Sequence, residues 1–431
     1  MNRQRKVQLL LWAYFWLLIF EGALRKWVLP GLSNPLLVIR DPICIAAIIY
    51  GWPYLMHTAA KPWIITIWAI SSIGFLTAVF LGHGDLVTAG FGARITILHF
   101  PIIFLYGAVF NIKDIWKFAR ITMVLAVPMT ILIAAQFSLP PDHILNIAPG
   151  GEGTAGFSGA LDKMRPPGIF SFTTGLACFY GLVATFWAGW LLAGYRPLPP
   201  YFWASAVAMI LALPLSISRT LLFMYLLTAL GASVSFLYAR KGLISLVIGF
   251  FIIATIFAIV SKLELFQEST EVFQARWENA GDFEADGKGV VGILDNRILG
   301  PMMESVGMVE NAGLLGKGIG LATNVGAVRA TGEKDFVIAE GSWAGSIGEM
   351  GALLGIPLIF WRIALTLKLG IIAIKQMHQN NSVPIVFSGL AIQGILLGQT
   401  SQPTGLGFII IFAGFMLATC NLKLQPIDYE I

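Results

Sequence analysis

Charged residues are what this chain has least of: 12% of its 431 residues are Asp, Glu, Lys or Arg, where a soluble domain needs roughly 25% to cover its surface. A water-soluble globular enzyme is excluded on that ground. With 57% of the residues hydrophobic, the surplus apolar surface has to face lipid. Cysteine is scarce as well. Cys44, Cys178 and Cys420 lie far apart in apolar runs, without the paired spacing of a disulfide framework or a zinc site, and read as packing residues. His57, His83, His99, His143 and His378 are scattered without ligand spacing, and the chain holds no Asp-x-Asp motif. No metal and no other cofactor is expected. Heptads, low-complexity tracts and internal repeats are missing too. The net charge of +5 fits Lys and Arg retained in short loops on one side of a membrane, not nucleic-acid binding.

What is present is a series of long apolar runs. The opening MNRQRKVQLLLWAYFWLLIF has the basic start of a signal peptide but no small-residue cleavage site after it, so it reads as an uncleaved first helix. Runs of spanning length cover 7–24, 36–56, 62–82, 94–110, 118–138, 168–193, 201–217, 220–238, 243–261, 342–367, 384–401 and 404–422. The fold class expected is therefore all-α integral membrane, with about 12 transmembrane helices in one polytopic domain over 1–431. Placing the N-terminus inside gathers Arg3, Arg5, Lys6, Lys61, Lys113, Lys117, Arg120, Arg196, Arg240, Lys241, Lys368 and Lys375 on the cytoplasmic side, the bias of the positive-inside rule. Both termini are then cytoplasmic. Two outer loops exceed plain turns and are expected to be functional: 139–167, and the larger 262–341 between the ninth and tenth spans, which holds 13 of the chain's 23 carboxylates. Within the larger loop, 293–311 reads as an amphipathic helix near the membrane surface.

Charge near hydrocarbon costs at least ~2.5 kcal/mol per residue on insertion scales, so each such residue asks for a partner or a purpose. Glu21 and Arg25 stand four apart, the spacing of a helical ion pair. Arg40 and Asp41 open the second span and read as interfacial anchors. Arg219 sits between two apolar runs joined by almost no loop, where a guanidinium either snorkels to water or grips phosphate bidentately. Arg165, before Pro166, Pro167 and Gly168, is a second cation at that level. In 341–355, glycines at 341, 345, 348, 351 and 355 are expected along one helix face, inviting close approach by a neighbouring helix or a lipid-like substrate. Glu340 stands at its mouth, as a cap or as a base, and Glu349 lies further in. GLLGKGIG (313–320) lacks the strand and the Lys-Ser/Thr ending of a phosphate loop. His143 is a minor acid/base candidate beside its plainer reading as a solvated loop residue.

The layout resembles the O-antigen polymerase and O-antigen ligase superfamily of GT-C membrane glycosyltransferases, in its spans and in its large loop between the ninth and tenth. RPPGIF resembles the family's Arg-x-x-Gly-Phe-like start of the sixth span. Arg219 falls where ligases carry an Arg at the outer end of the eighth, and Arg297 with GLLGKGIG is similar to the Arg and Gly-x-Gly run of the periplasmic loop. Glu340, Gly341, nine residues and Gly351 match the spacing of a ligase motif that has His followed by Asn, Ser or Gln in the first two places, which sets this chain apart from ligases proper. The resemblance implies an enzyme of the bacterial inner membrane that moves a glycan from a polyprenyl-pyrophosphate carrier to a sugar hydroxyl at the periplasmic face, without a metal. It assigns Arg165, Arg219 and Arg297 to the pyrophosphate and Glu340 to general base, with Glu349 and His143 as secondary candidates. The partners implied are the carrier-linked donor, a glycan or lipid acceptor, membrane lipids and polysaccharide-export machinery. A ligase joining glycan to lipid A-core, a secondary transporter and a non-catalytic export partner remain the alternatives.

Overall fold

The computed structural model describes residues 2–151, 153, 159–194, 197–238, 242–284, 300–332, 338, 339 and 341–420. In chain order the helices are α1 (Arg3–Ala23), α2 (Asp41–Met56), α3 (Lys61–Phe80), α4 (Leu86–Arg94), α5 (Phe100–Val109), α6 (Ile112–Ser138), α7 (Thr173–Ala193), α8 (Pro200–Leu215), α9 (Arg219–Tyr238), α10 (Gly242–Val260), α11 (Glu264–Glu284), α12 (Gly300–Ala312), α13 (Asn324–Thr331), α14 (Ser342–His378), α15 (Val383–Leu397) and α16 (Pro403–Thr419). The protein is a multi-pass all-α membrane protein. Among the described residues eight helical stretches are long and apolar enough to cross a bilayer, or nine if the pair Val247–Val260 and Glu264–Glu278, bent by 104°, counts as one span. Pro200–Leu215, Val383–Leu397 and Pro403–Thr419 are apolar but shorter.

Local chemistry sets several of the starts. Asn2 caps α1 by accepting from the Arg5 amide, and Asn111 forms a reciprocal capping box with Asp114 at the head of α6. Such caps satisfy amides that have no intrahelical partner. Pro42, Pro62, Pro101, Pro384 and Pro403 occupy first-turn positions, where a missing N–H costs nothing. Many of the expected boundaries lie within five residues of these helices, but the expected starts at 94 and 118 fall at 86 and 112, and the run expected to end at 367 continues to His378. α12 overlaps the stretch read as amphipathic.

α7 is the central pillar. In its most apolar stretch 83% of the residues are buried inside the protein, against 33–56% for the other spans, and a helix apolar all round belongs in such a position. Tyr180 on α7 meets the Thr130 hydroxyl of α6 at 2.6 Å. An aromatic cluster ties α1, α5, α6 and α16: Trp12 stacks on Phe118 at 3.6 Å, and Phe118 packs on Phe415 at 4.8 Å.

Chain ends and loops sort to two ends of the bundle. At the end where α1 starts, here the near end, Gln4 and Gln8 donate to the Val109 carbonyl and Asn381 donates to that of Thr419. At the far end, Arg40 reaches the Pro403 carbonyl and His83 that of Ile319. Asp85 joins Arg329 there at 2.5 and 3.0 Å, and the guanidinium holds its carboxyl well below the usual carboxylate range.

α14 departs from the straight helix that its glycine spacing suggests. Gly351 has φ 66° and ψ −176°, a conformation open to glycine and costly for other residues. The chain folds back there. Arg362 Nη1 lies 2.7 Å from Ser342 Oγ, although twenty residues of straight helix would separate them by about 30 Å. The gap at the fold is closed by the 313–320 segment, whose Gly313 and Leu314 carbonyls accept from the Ala352 and Leu353 amides, while the Lys317 and Gly318 amides donate to the Gly348 and Glu349 carbonyls. Gly345 and Gly348 face Ala322 and Ile338. The five glycines therefore do not share one helix face: Gly341 and Gly348 also face Glu304 and Met308 of α12, and Gly355 faces the first half of α14 itself at Ser346 and Ile347.

Candidate functional site

The far end carries a patch built on the α8–α9 hairpin. α8 stops after Pro214, and the link to Arg219 is three residues, Ser216, Ile217 and Ser218, all buried. Ile217 takes φ 46°, which for a β-branched residue is a real outlier and marks a turn held in place by its surroundings. The surroundings include the second loop. A β-carbon on Gly159 would lie 3.0 Å from Ile217 Cδ1, so the 159–163 turn sits on the hairpin. That turn is tight: the Gly159 amide donates to the Lys163 carbonyl at 2.9 Å, with Leu161 and Asp162 both at positive φ.

α11 locks the turn from the other side. Lys163 pairs with Glu268 at 2.6 Å, and Arg276 Nη1 donates to the Gly159 carbonyl at 3.1 Å. The three segments that bear Lys163 and Arg165, Arg219, and Arg276 thus meet in one region of the far end, with both sequence-predicted arginines half-buried. Arg276 escaped the sequence reading. A signal existed, because it is the single basic residue on an otherwise acidic helix. Arg165 precedes a bend whose pivot, Gly168, has φ 60°. Gln136 holds that pivot from both sides, accepting from its amide at 2.8 Å and donating to its carbonyl at 3.2 Å.

A second constellation runs through the interior beside this patch. The predicted Glu21–Arg25 pair is present at 3.6 Å, but Glu21 also meets Arg40 at 3.2 Å. Arg40 is 2% exposed, which makes it a buried partner and not an interfacial anchor. It donates further to the Tyr14 hydroxyl at 3.3 Å and to the Pro403 carbonyl at 2.6 Å. Asp41 accepts two bonds from Arg94 Nη1, at 2.6 and 2.8 Å, and faces His99 Nε2 at 3.0 Å, whose other ring nitrogen meets Tyr14 at 3.1 Å. Charges this deep persist only when paired and hydrogen-bonded. Beside Arg94 lies a cavity of about 20 Å³ bordered by Thr323, Asn324, Thr400 and Ser401, room for about one water.

The remaining candidates divide. Glu349 Oε1 accepts from the Gly320 and Ala322 amides at 2.9 and 2.7 Å, so its carboxylate anchors the glycine-rich loop to the folded helix. His143 caps a short 3₁₀ turn by accepting from the Leu145 amide at 3.2 Å. Glu340 and Arg297 lie outside the described residues. Gly341 and Ser342, directly after Glu340, begin α14 and are fixed through Ser342 by Arg362, which also donates to the Ile395 and Gly398 carbonyls. Among the described residues no group of three or more His, Cys, Asp or Glu could hold a metal ion.

A basic patch with half-buried guanidiniums at a membrane end can hold a phosphate or pyrophosphate by charge-assisted bonds. No family model, curated protein or solved structure matches the chain.

Proposed function

We propose that the protein is a polysaccharide polymerase-like glycosyltransferase of the O-antigen polymerase and ligase type, transferring a glycan from a polyprenyl-pyrophosphate carrier to a sugar hydroxyl. The reaction needs cations to stabilise the departing pyrophosphate and a base at the acceptor hydroxyl. The observation that supports the reading is the meeting, at the far end, of the three segments that bear Lys163 and Arg165, Arg219, and Arg276. In this reading Arg165 and Arg219 grip the pyrophosphate, joined by Arg297, and Glu340 is the base. Glu349 is committed to the loop and drops behind it.

The topology proposed with it has twelve crossings, counting the bent α10 and the three shorter helices. The near end is then cytoplasmic, with both termini there, and the far end faces the periplasm. An engineered cysteine near Gly287 should react with a membrane-impermeant maleimide in intact spheroplasts. Reaction only after lysis would reverse the orientation.

The fold-back at Gly351 favours one other reading, since broken helices build substrate sites in secondary transporters. Its exposed backbone is answered by residues 313–320, which leaves little there for a substrate. The deciding experiment is a deletion strain, with glycan chain length and glycan attached to lipid A both measured. Short chains indicate a polymerase, unattached long chains a ligase, and unchanged chain length with carrier-linked glycan retained inside a transporter. Within the polymerase reading, Arg219→Lys keeps the charge and loses the bidentate fork. Polymer yield should drop at least tenfold in that variant; wild-type yield at normal protein level returns Arg219 to a snorkelling role.

A further inference from the structure

The end of α1 is wound as a π-helix, Leu24–Val28, a form that is rare and concentrates at functional sites. Every residue from Arg25 to Trp27 bonds to the 139–172 segment. The Arg25 carbonyl accepts from the Gly150 amide at 3.1 Å, and its guanidinium donates to Ser171 Oγ at 3.0 Å. Trp27 Nε1 donates to the Ile144 carbonyl at 2.9 Å. Between them Lys26 Nζ donates to the Gly168 carbonyl at 2.7 Å and the Phe170 carbonyl at 3.0 Å. One turn earlier, Gly22 lets the backbone of Ile169 and Phe170 press directly on α1.

Lys26 is 0% exposed, and no carboxylate among the described residues forms an ion pair with it. On stability alone this is a poor choice of residue. Burying an amine carries a desolvation cost that no counter-charge offsets here. What a methionine could not do is hold two carbonyls at the bend that follows Arg165 by three residues.

We propose that Lys26 is a positioning residue: from the π-wound end of α1 it fixes the Gly168–Phe170 bend and thereby aims the Arg165 guanidinium. That Arg165 addresses a pyrophosphate rests on the proposed function; that Lys26 sets its position does not. The same arrangement accounts for the π-turn, which brings three consecutive side chains or carbonyls of α1 to one loop.

The test uses the full chain with a nitroxide at position 165 and a second labelled sample at Gln379, at the opposite end of the bundle. The native cysteines are all buried and stay in place. Lys26→Met should sharpen the spectrum at 165 to that of a mobile label and leave the spectrum at 379 as it was, the unchanged label at 379 marking a local and not a general loosening. In an unlabelled chain, the same substitution should cut long polymer at least tenfold, with Lys26→Arg recovering part of it. An immobile label at 165 in Lys26→Met overturns the proposal, as does a mobile label with wild-type polymer while Arg165→Ala abolishes it. If Arg165→Ala itself left polymer at the wild-type level, the pyrophosphate reading would fall. The spectra would still decide whether Lys26 holds the bend.

Discussion

Glu340→Gln should, on the proposed role of Glu340 as general base, lower turnover by about 10²-fold or more, because glutamine keeps the side-chain oxygen but cannot take a proton from the acceptor hydroxyl. A residue acting only as a helix cap would behave differently. Its replacement by glutamine would cost about 1 kcal/mol of local stability and leave activity largely intact. Glu340→His should restore part of the activity, since histidine occupies the matching place in the ligase motif that the chain resembles. The measurement is polymer formed per unit time by purified enzyme from carrier-linked donor, with melting temperature recorded in parallel. Near-normal polymer from Glu340→Gln removes the assignment.

A larger effect on stability is expected from Arg40→Met. It strips the 3.2 Å partner from Glu21, which is 2% exposed, and leaves that carboxylate with only the longer contact to Arg25. Breaking one side of a buried ion pair costs about 3–5 kcal/mol, whereas replacing both partners by apolar residues of similar volume is often close to neutral. Glu21→Leu combined with Arg40→Met should therefore recover most of the loss. Thermal unfolding of the purified chain in one detergent compares the three proteins. A double variant as unstable as the single one would mean that Arg40 acts through the Tyr14 and Pro403 contacts and not through Glu21.

That the chain is a series of apolar helices was readable because an apolar run is a strong signal in one dimension; the number expected was about twelve, and among the described residues eight, or nine with the bent pair, are long and apolar enough to cross a bilayer. The α8–α9 hairpin was readable for the same reason, and it located Arg219 before any contact was known. Pairings across the chain were not readable. Glu21 and Arg40 are 19 residues apart, and Asp41 and Arg94 are 53 apart. The first pair meets only because the short 3₁₀ turns Pro30–Leu32 and Pro35–Val38 reverse the chain between them. Periodicity carries no trace of that. The glycine run misled for a related reason: spacings of four, three, three and four describe one face of an unbroken helix, and nothing local announces that Gly351 adopts positive φ. That outcome depends on the Gly313–Gly320 segment arriving to bond the opened backbone. Lys26 was hidden by company, sitting beside a more conspicuous Glu-Arg pair.

The reach of Arg40 has a consequence for synthesis. Its Pro403 partner is made 363 residues later, and at about 5–20 residues per second that is a wait on the order of 20–70 s. During that interval the first two helices are already in the bilayer, carrying charges that individually cost about 2.5–3.5 kcal/mol to insert. Glu21, Arg25, Arg40 and Asp41 are close enough in the chain to shield one another almost as soon as the second helix emerges. The early helical pair can thus wait with those four charges cancelled and Lys26 alone uncompensated while the ribosome finishes the stretch of chain that will close over it, and a nonsense codon anywhere before Pro403 would leave that pair permanently uncovered, a ready mark for membrane quality control.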